Sequence, residues 1–517
     1  MKIMSSRRRK IRFIEPGTMP GRPFNAWIAH WPLLGPIILA TILDRQGYDV
    51  AIYNENISGP LDANPSAQAD ICSADVVGIT TMTATANRAY QLARLIKETS
   101  ADTTIVFGGA HATFLPDEAI QYGDVVVCGE AENVIEHIAA GDIREGIIHP
   151  DKPENLDDLP PLKHDLMMDF DRLIATSGRR ELYELPVMTS RGCPHGCMYC
   201  SVTRMFGRKV RRQSTEKVEA DLKVYHRRGF RRVFFYDDNL TSDREWTKDL
   251  LARIKPLGIR WNAQARVDMH WIGARRAHDE ELLQALKTGG GDVLYIGYET
   301  IDEQTAKQWN KGYHGKESLV ERLYEDTKTL HECGFWIHGM FMLGPEHDEN
   351  NLEQVVRFAS KAGIESIQIS VLTPLPGTPL FQQMQDKLLF TNFPADWNYY
   401  DGTHCVYHHK MGIAALQQAV INAHKKFYRM LRPGLRRLVK LSKGRMHLSD
   451  RIKLFWRHAR MSFQVMKQWQ EETNAFLSYV REKGQRYLFP TDAKRRKKIK
   501  IPKVIAPTAK NVRLGRL

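Results

Sequence analysis

Residues 190–200 read SRGCPHGCMYC and place three cysteines, Cys193, Cys197 and Cys200, at spacings of four and three. Thiolates ligate zinc and iron–sulfur clusters, and both kinds of centre usually take four protein ligands. Three cysteines therefore leave one position to something else. Zinc would have to recruit His195, which is cramped between Cys193 and Cys197. A structural role for three thiols this close together suits a cytosolic protein poorly. The spacing favours a [4Fe–4S] cluster with three cysteine ligands and one iron open to a ligand that is not protein. The other four of the seven cysteines, Cys72, Cys128, Cys333 and Cys405, are scattered and make no disulfide framework.

Such a loop needs a scaffold, and the sequence around it supplies one. From residue 184 the runs LPVMTS, RRVFFYDD, RWNAQARVD, VLYIGYET, WIHGMFMLG and SIQISVLTPL alternate with amphipathic stretches of helix length, such as STEKVEADLKVYHRRG. Six βα units predict a parallel barrel or partial barrel over 184–400, with its chemistry at the carboxyl ends of the strands. The cysteines follow the first of these strands directly. Residues 1–150 hold another series: IRFIE, DVAIY, DVVGIT, TTIVFGG and DVVVCG. Their near-continuous apolar character predicts a doubly wound parallel sheet, which binds ligands at its strand ends. The fold class is therefore α/β. Residues 151–183, rich in proline and acid, read as a linker. Residues 401–490 carry helical periodicity, as in Ile413, Leu416, Val420, Ala423 and Phe427. Residues 491–517 read as a basic, disordered tail.

The formal net charge of +14 is unevenly placed. Residues 410–517 hold 28 Lys+Arg against 5 Asp+Glu, net +23, so the preceding residues are net −9. A polyanionic partner would meet the C-terminal fifth. There Arg451, Lys453, Arg457 and Arg460 interleave with Leu454, Phe455, Trp456 and Phe463, a mixture that suits an anionic lipid surface. A helical cap over the active site fits as well; nucleic acid is the less favoured partner. The apolar run PLLGPIILATIL is far shorter than the about 20 residues of a membrane span. The basic N-terminus has no apolar h-region behind it, so the expectation is a cytoplasmic protein, with peripheral membrane contact as a further option.

The cysteine motif, with Tyr199 before its last member, resembles that of the radical S-adenosylmethionine (SAM) superfamily, and the resemblance runs from about Leu185 to Phe381. It implies that the open iron chelates SAM and that an electron from the cluster cleaves it to a 5′-deoxyadenosyl radical. It also implies an electron donor such as flavodoxin or ferredoxin. In FYDDN, Asp237 and Asp238 stand where the superfamily contacts the SAM amino group, although the glycines usual there are missing. The other reading is that they cap the next helix. Glu299 in GYET matches a ribose-binding glutamate, Arg266 in QARVD a SAM-carboxylate contact, and Tyr199 belongs to the same cofactor site.

The N-terminal domain resembles that of the cobalamin-binding subclass of this superfamily, over most of residues 30–135. Thr80, Thr81, Gly108, Gly109 and Gly129 fall at strand ends where a corrin would approach the backbone; the alternative is tight turns in a domain that no longer binds cobalamin. No Asp-x-His-x-x-Gly occurs, and His111 lacks the aspartate two residues before it, so cobalamin is expected without a histidine ligand from that motif. The layout resembles a group that includes hopanoid methylases and the anaerobic magnesium-protoporphyrin monomethyl ester cyclase. It implies a cobalamin-dependent C-methyltransferase acting on a lipid, isoprenoid or tetrapyrrole. The alternative is an oxidative cyclase or C–C bond-forming enzyme. A methylthiotransferase would want a second cysteine triad, where only Cys72 and Cys128 lie; a cluster-based sensor is the non-enzymatic reading.

Overall fold

The computed structural model describes residues 8–19, 22, 30–273, 277–313, 317–430 and 467–482. Its first sheet has six parallel strands: β1 (Lys10–Glu15), β2 (Asp49–Asn54), β3 (Val76–Thr80), β4 (Thr104–Gly108), β5 (Val125–Val127) and β6 (Gly146–Ile148). Their order is β2-β1-β3-β4-β5-β6. Ile11, Ile14, Val77, Ile79, Ile105, Phe107 and Val126 are buried, as expected when helices cover both faces of a parallel sheet. The order reverses between β1 and β3, which opens a crevice at their carboxyl ends. Those two strands pack closely because Gly78 lacks a side chain; a Cβ there would lie 2.7 Å from the Phe13 ring. β6 has no counterpart among the strands expected from sequence, because three residues are too few to show a period.

Ten more strands follow in chain order: β7 (Glu184–Val187), β8 (Ser190–Arg191), β9 (Arg211–Arg212), β10 (Arg232–Phe235), β11 (Arg260–Ala265), β12 (Trp271–Ile272), β13 (Ala277–His278), β14 (Gly291–Glu299), β15 (Trp336–Leu343) and β16 (Ser366–Val371). β7, β10, β11, β14, β15 and β16 are parallel neighbours in that order and form the open, partial barrel that the six βα units predict. β8 and β9 pair as a hairpin that bounds the cysteine loop. Along β14 the even-numbered residues Leu294, Ile296 and Tyr298 are buried, while Tyr295, Gly297 and Glu299 on the other face are only partly so. The alternation identifies the second face as the lumen side.

The two sheets meet through the segments that connect them. Trp31 stacks on Phe234 at 4.3 Å and meets Tyr295 edge-on, and the Tyr183 hydroxyl donates to the His30 carbonyl at 2.9 Å. Residues 151–183, expected as a linker, carry the helix Phe170–Thr176 and bind both sheets: Lys163 N donates to Thr41 Oγ1 at 3.0 Å, and the Tyr225 hydroxyl accepts from Leu162 N at 2.7 Å. Beyond the barrel the chain returns to the first sheet, where the buried Trp397 donates to the Glu118 carboxylate at 3.0 and 3.1 Å.

The helix Ile413–Met430 covers the outer edge of β16: His424 Nε2 accepts from Ile369 N at 3.1 Å, and the Tyr428 hydroxyl donates to the Ile367 carbonyl at 3.2 Å. Such cover satisfies an edge strand that would otherwise be open to another chain. The remaining helix, 467–482, buries Trp469, Phe476 and Val480. The basic amphipathic segment around Arg451–Phe463 and the expected tail 491–517 lie outside the described residues. Among the described residues no helix is long and apolar enough to cross a membrane.

Helix 467–482 is fastened by a buried charge cluster. His404 Nδ1 lies 3.0 Å from Asp401 and its Nε2 lies 2.9 Å from Glu472, while Arg22 pairs with Asp401 at 2.7 Å. Burial alone would lower the His404 pKa, but Asp401 and Glu472 outweigh it and raise it above its ordinary value. A raised histidine pKa stabilises the fold fully below the unfolded value near 6.5 and loses that contribution as pH rises through the folded value. The melting temperature should therefore fall from pH 6 into the alkaline range. His404→Leu should remove that dependence and cost about 3–5 kcal/mol at pH 6, read by thermal and urea unfolding at both pH values.

Candidate functional site

The cysteine loop leaves the barrel at the end of β7. Asp237, fully buried just past β10, accepts from Thr189 N at 3.0 Å, Thr189 Oγ1 at 3.1 Å and Ser190 Oγ at 2.6 Å, and also from Ser190 N. Asp237 was expected as a SAM contact; here its carboxylate holds the entrance of the loop, chiefly through Oδ1. Nor does either aspartate cap the next helix, Arg244–Ile254, whose N-terminus is capped by Asp243 at 3.2 Å from Trp246 N. Burial pushes the Asp237 carboxyl up to about 6, against the hydrogen bonds that lower it. Asp238 is pushed up to about 7 by burial and by Asp237, and acts electrostatically on Cys193 and Cys200.

The loop itself is tied down from several sides. Gly192 has φ 97° and leaves no room for a side chain, since a Cβ would meet the Gly207 and Lys209 carbonyls at 2.9 Å. Met198 N donates to the Trp309 carbonyl at 3.1 Å, and Asn310 Nδ2 to the Gly196 carbonyl at 2.8 Å. All three cysteines are free thiols of intermediate exposure. Burial raises the pKa of Cys193 and pushes that of Cys200 up to about 12, so loading with metal must release protons. Among the described residues no three His, Cys, Asp or Glu side chains converge as ligands of a single ion, which speaks against zinc held with His195. A cubane instead assigns each thiolate to a different iron, and three thiols carried on one fixed loop suit that donor set.

Around the barrel mouth the other expected residues are in place, with unexpected partners. Glu299 sits in the left-handed region at φ 63°, a strain of about 1–3 kcal/mol of the sort found at functional sites. Its Oε1 lies 3.5 Å from Lys311 Nζ, and a Cβ on Gly297 would approach that oxygen to 2.4 Å. Arg266 is engaged by Asp268 through two 2.8 Å hydrogen bonds and by the Gly312 carbonyl at 2.5 Å. The carboxylate it grips is therefore the chain's own. Tyr199 packs edge-on against Trp309 and lies within electrostatic reach of Glu299 and Cys197. Lys311 follows no motif in the sequence, and Asp268, although it ends the QARVD run, carries no local sign that it pairs with Arg266.

At the carboxyl edge of the first sheet the five expected residues divide into two groups. Thr81 is buried, donating to the Gly108 carbonyl at 2.7 Å and accepting from Ala112 N at 3.0 Å. Gly109, at φ 92°, must be glycine because a Cβ would lie 2.7 Å from the Thr81 carbonyl oxygen and 3.0 Å from Thr80 Oγ1. These three shape a turn. Gly108 and Gly129 are different: a Cβ on either would meet nothing within 4 Å. With Met82 exposed at the end of the neighbouring strand, they leave an open shelf that suits a broad, flat, largely apolar ring. His111 is turned away from the shelf; it is buried with Nε2 3.2 Å from Glu118 and its ring edge-on to Trp397.

The shelf and the cysteine loop are joined by a group of charges that the sequence reading passed over. Arg191 pairs with Glu130 and Glu132, and Arg211 pairs with Glu130. Arg191 stands in SRGC beside the cysteines, and Glu130 and Glu132 in GEAEN (129–133), which the sequence marks only by Gly129; nothing local says that the two stretches meet.

Comparison with known proteins agrees with both halves. The family description "B12 binding domain" matches residues 29–139, and "Radical SAM superfamily" matches residues 187–359. Bacteriochlorophyllide d C-12(1)-methyltransferase of Chlorobaculum tepidum is 27% identical over 428 residues, 82% of this chain and 88% of that protein. The anaerobic magnesium-protoporphyrin IX monomethyl ester cyclase of Rubrivivax gelatinosus is 24% identical over 417 residues, 74% of this chain and 71% of that one. Among solved structures, the radical SAM methyltransferase TsrM of Kitasatospora setae with cobalamin and [4Fe–4S] cluster bound matches with a TM-score of 0.61, covering 90% of this chain and 100% of that one. At 13% identity this last likeness is one of fold. The two matched domains imply a [4Fe–4S] cluster, SAM and cobalamin as cofactors, and the residues at both strand edges suit them. The chain belongs to the radical SAM superfamily, in the group that carries a B12-binding domain ahead of the radical SAM domain.

Proposed function

We propose that this protein is a cobalamin-dependent C-methyltransferase acting on a hydrophobic small molecule: a lipid, an isoprenoid or a tetrapyrrole. The observation that carries the reading is the pairing of an open, glycine-floored shelf on one parallel sheet with a fixed three-cysteine loop on the other. When bound, the cluster with SAM supplies a 5′-deoxyadenosyl radical and cobalamin supplies a transferable methyl group. Cys193, Cys197 and Cys200 hold the cluster. Asp238 receives the SAM ammonium, since Asp237 is engaged chiefly in holding the loop. Glu299, held in its strained conformation beside Lys311, accepts from the ribose, and Tyr199 closes the loop against Trp309. Arg266 acts through Asp268 to fix the barrel mouth. Gly108 and Gly129 leave room for the corrin, with Thr80, Thr81 and Gly109 shaping the turn beside it.

The lumen supports an apolar substrate. Trp31 and Phe234 stack there with Tyr295 edge-on to both, and the partly buried Met340 and Met342 alternate along β15. Methionine and aromatic surfaces adapt to bulky apolar ligands. The similar proteins named above include a methyltransferase and a cyclase of magnesium tetrapyrroles, so ring closure without methyl transfer is the second reading. An electron donor of the flavodoxin or ferredoxin class is required, and the excess of basic charge after residue 410 suits an anionic membrane surface from which an apolar substrate is drawn.

Anaerobic expression with cobalamin, followed by absorption spectra and cofactor extraction, should yield one corrin per chain beside the cluster. An intact cluster with no corrin would sink the methyltransferase reading. Cys197→Ala should lose iron and with it reductive SAM cleavage; cleavage retained in that variant would refute the cluster assignment. The two aspartates should separate. Asp237→Ala strands the donors of Thr189 and Ser190 and should lower both unfolding stability, by about 3 kcal/mol or more, and iron content. Asp238→Asn should keep stability and iron while weakening SAM by about 1.5–3 kcal/mol, roughly tenfold to a hundredfold in Kd, read by calorimetry.

A further inference from the structure

We propose that Arg191 is a positioning residue, which holds the cysteine loop at a fixed separation from the corrin-facing edge of the first sheet. The inference rests on the functional reading above. Arg191 stands two residues before Cys193, and its guanidinium spans Glu130 and Glu132. Those carboxylates follow Gly129, the open glycine beyond β5. Arg211, directly opposite Arg191 in the β8–β9 hairpin, holds Glu130 from the other side through Nη1 at 3.1 Å and through Nη2. Its Nη1 also donates to the Pro153 carbonyl at 2.7 Å. Two positive and two negative groups balance.

Stability explains this cluster poorly. Arg191, Glu130 and Glu132 have side chains only 4%, 2% and 8% exposed, and desolvating charge is costly enough that packed apolar groups would often serve the fold as well. The network is also incomplete: Arg191 Nε and Glu132 Oε2 are buried with no hydrogen-bond partner. What a guanidinium between carboxylates provides, and an apolar contact does not, is directional geometry.

The connections on either side have little slack. Gly192 is the single residue between Arg191 and Cys193, and the Gly207 and Lys209 carbonyls wall it in. On the other side Gly129 N donates to Thr113 Oγ1 at 2.9 Å, tying the Glu130 loop to the helix Ala110–Phe114 that begins after Gly109. The shortest path from cluster ligand to corrin shelf therefore runs through the Arg191 guanidinium, with Arg211 bracing the same carboxylate. Misplacement of reacting groups by about 1 Å is enough to cost a hundredfold in rate, so a rigid spacer at this point matters to chemistry that must serve two cofactors.

The test uses the full-length protein reconstituted anaerobically with iron, sulfide and hydroxocobalamin. Pulsed electron paramagnetic resonance reads the dipolar coupling between divalent cobalt and the reduced cluster. The parent should give a narrow distance distribution. R191M should keep parental iron content but broaden the distribution or release the corrin, and R191K, which keeps one charge contact, should restore part of it. If R191M proves insoluble, E130Q, which preserves volume and leaves Arg191 with Glu132, should still broaden the distribution. Variants as narrow as the parent, at equal iron and cobalamin loading, would overturn the inference alone. A parent that takes up cluster but no cobalamin would overturn the functional reading and this inference with it.

Discussion

A carboxylate taken out of water costs several kcal/mol unless donors surround it, and Asp237 is stabilised by donors that all come from Thr189 and Ser190, 48 and 47 residues earlier in the chain. That requirement fixes where the chain leaves β7. It places the backbone of residues 189 and 190 against the end of β10, and so decides the direction in which Gly192 and the cysteines depart. Cys193, Cys197 and Cys200 are thereby carried on a loop whose departure from the barrel is fixed. Asp237 thus serves the scaffold of the loop, one residue before Asp238, which acts electrostatically on Cys193 and Cys200.

The parallel geometry of both sheets does the complementary work. In a parallel sheet every strand ends on the same side, so the side chains after β7, β10, β11 and β14 are brought to one mouth without any direct contact between those segments in sequence. The same holds for the shelf after β3, β4 and β5. Within each sheet the driving force is apolar burial, which is non-directional and tolerant. It explains why the barrel forms, and does not by itself explain where Glu299 points. That orientation comes from local constraints: a register shift in β14 between Gly297 and Glu299, a backbone in the left-handed region, and a glycine that leaves the carboxylate room.

Much of this was legible in the sequence wherever the determinant is local. Strand runs such as TTIVFGG and WIHGMFMLG carry their own apolar signal, and the cysteine spacing carries its chemistry. The three-residue β6 and the helix Phe170–Thr176 were missed because short elements are set by what they pack against. What the sequence did not show was the partners of its charged groups. Arg266 and Asp237 were placed correctly at strand ends, yet their partners decide what they do. Asp268 lies only two residues from Arg266, and still no rule of spacing predicts that the two will form a bidentate pair rather than present the arginine to a ligand. The meeting of SRGC with GEAEN is longer in range and leaves no trace in either segment.

Those charged contacts share a location. Asp237, the Arg191–Glu130–Glu132–Arg211 group and the Arg22–Asp401–His404–Glu472 group all lie where segments distant in sequence come together, and each is buried at a cost that apolar packing would avoid. An apolar junction can slide by a fraction of a side chain with little penalty, since its energy follows area rather than angle. A guanidinium or imidazolium between carboxylates cannot, because its hydrogen bonds weaken steeply off axis. Chemistry shared between a cluster on one sheet and a corrin on another is sensitive to that sliding in a way that folding is not. The distribution of buried charge in this chain is therefore better understood from what must be held still than from what must be held together.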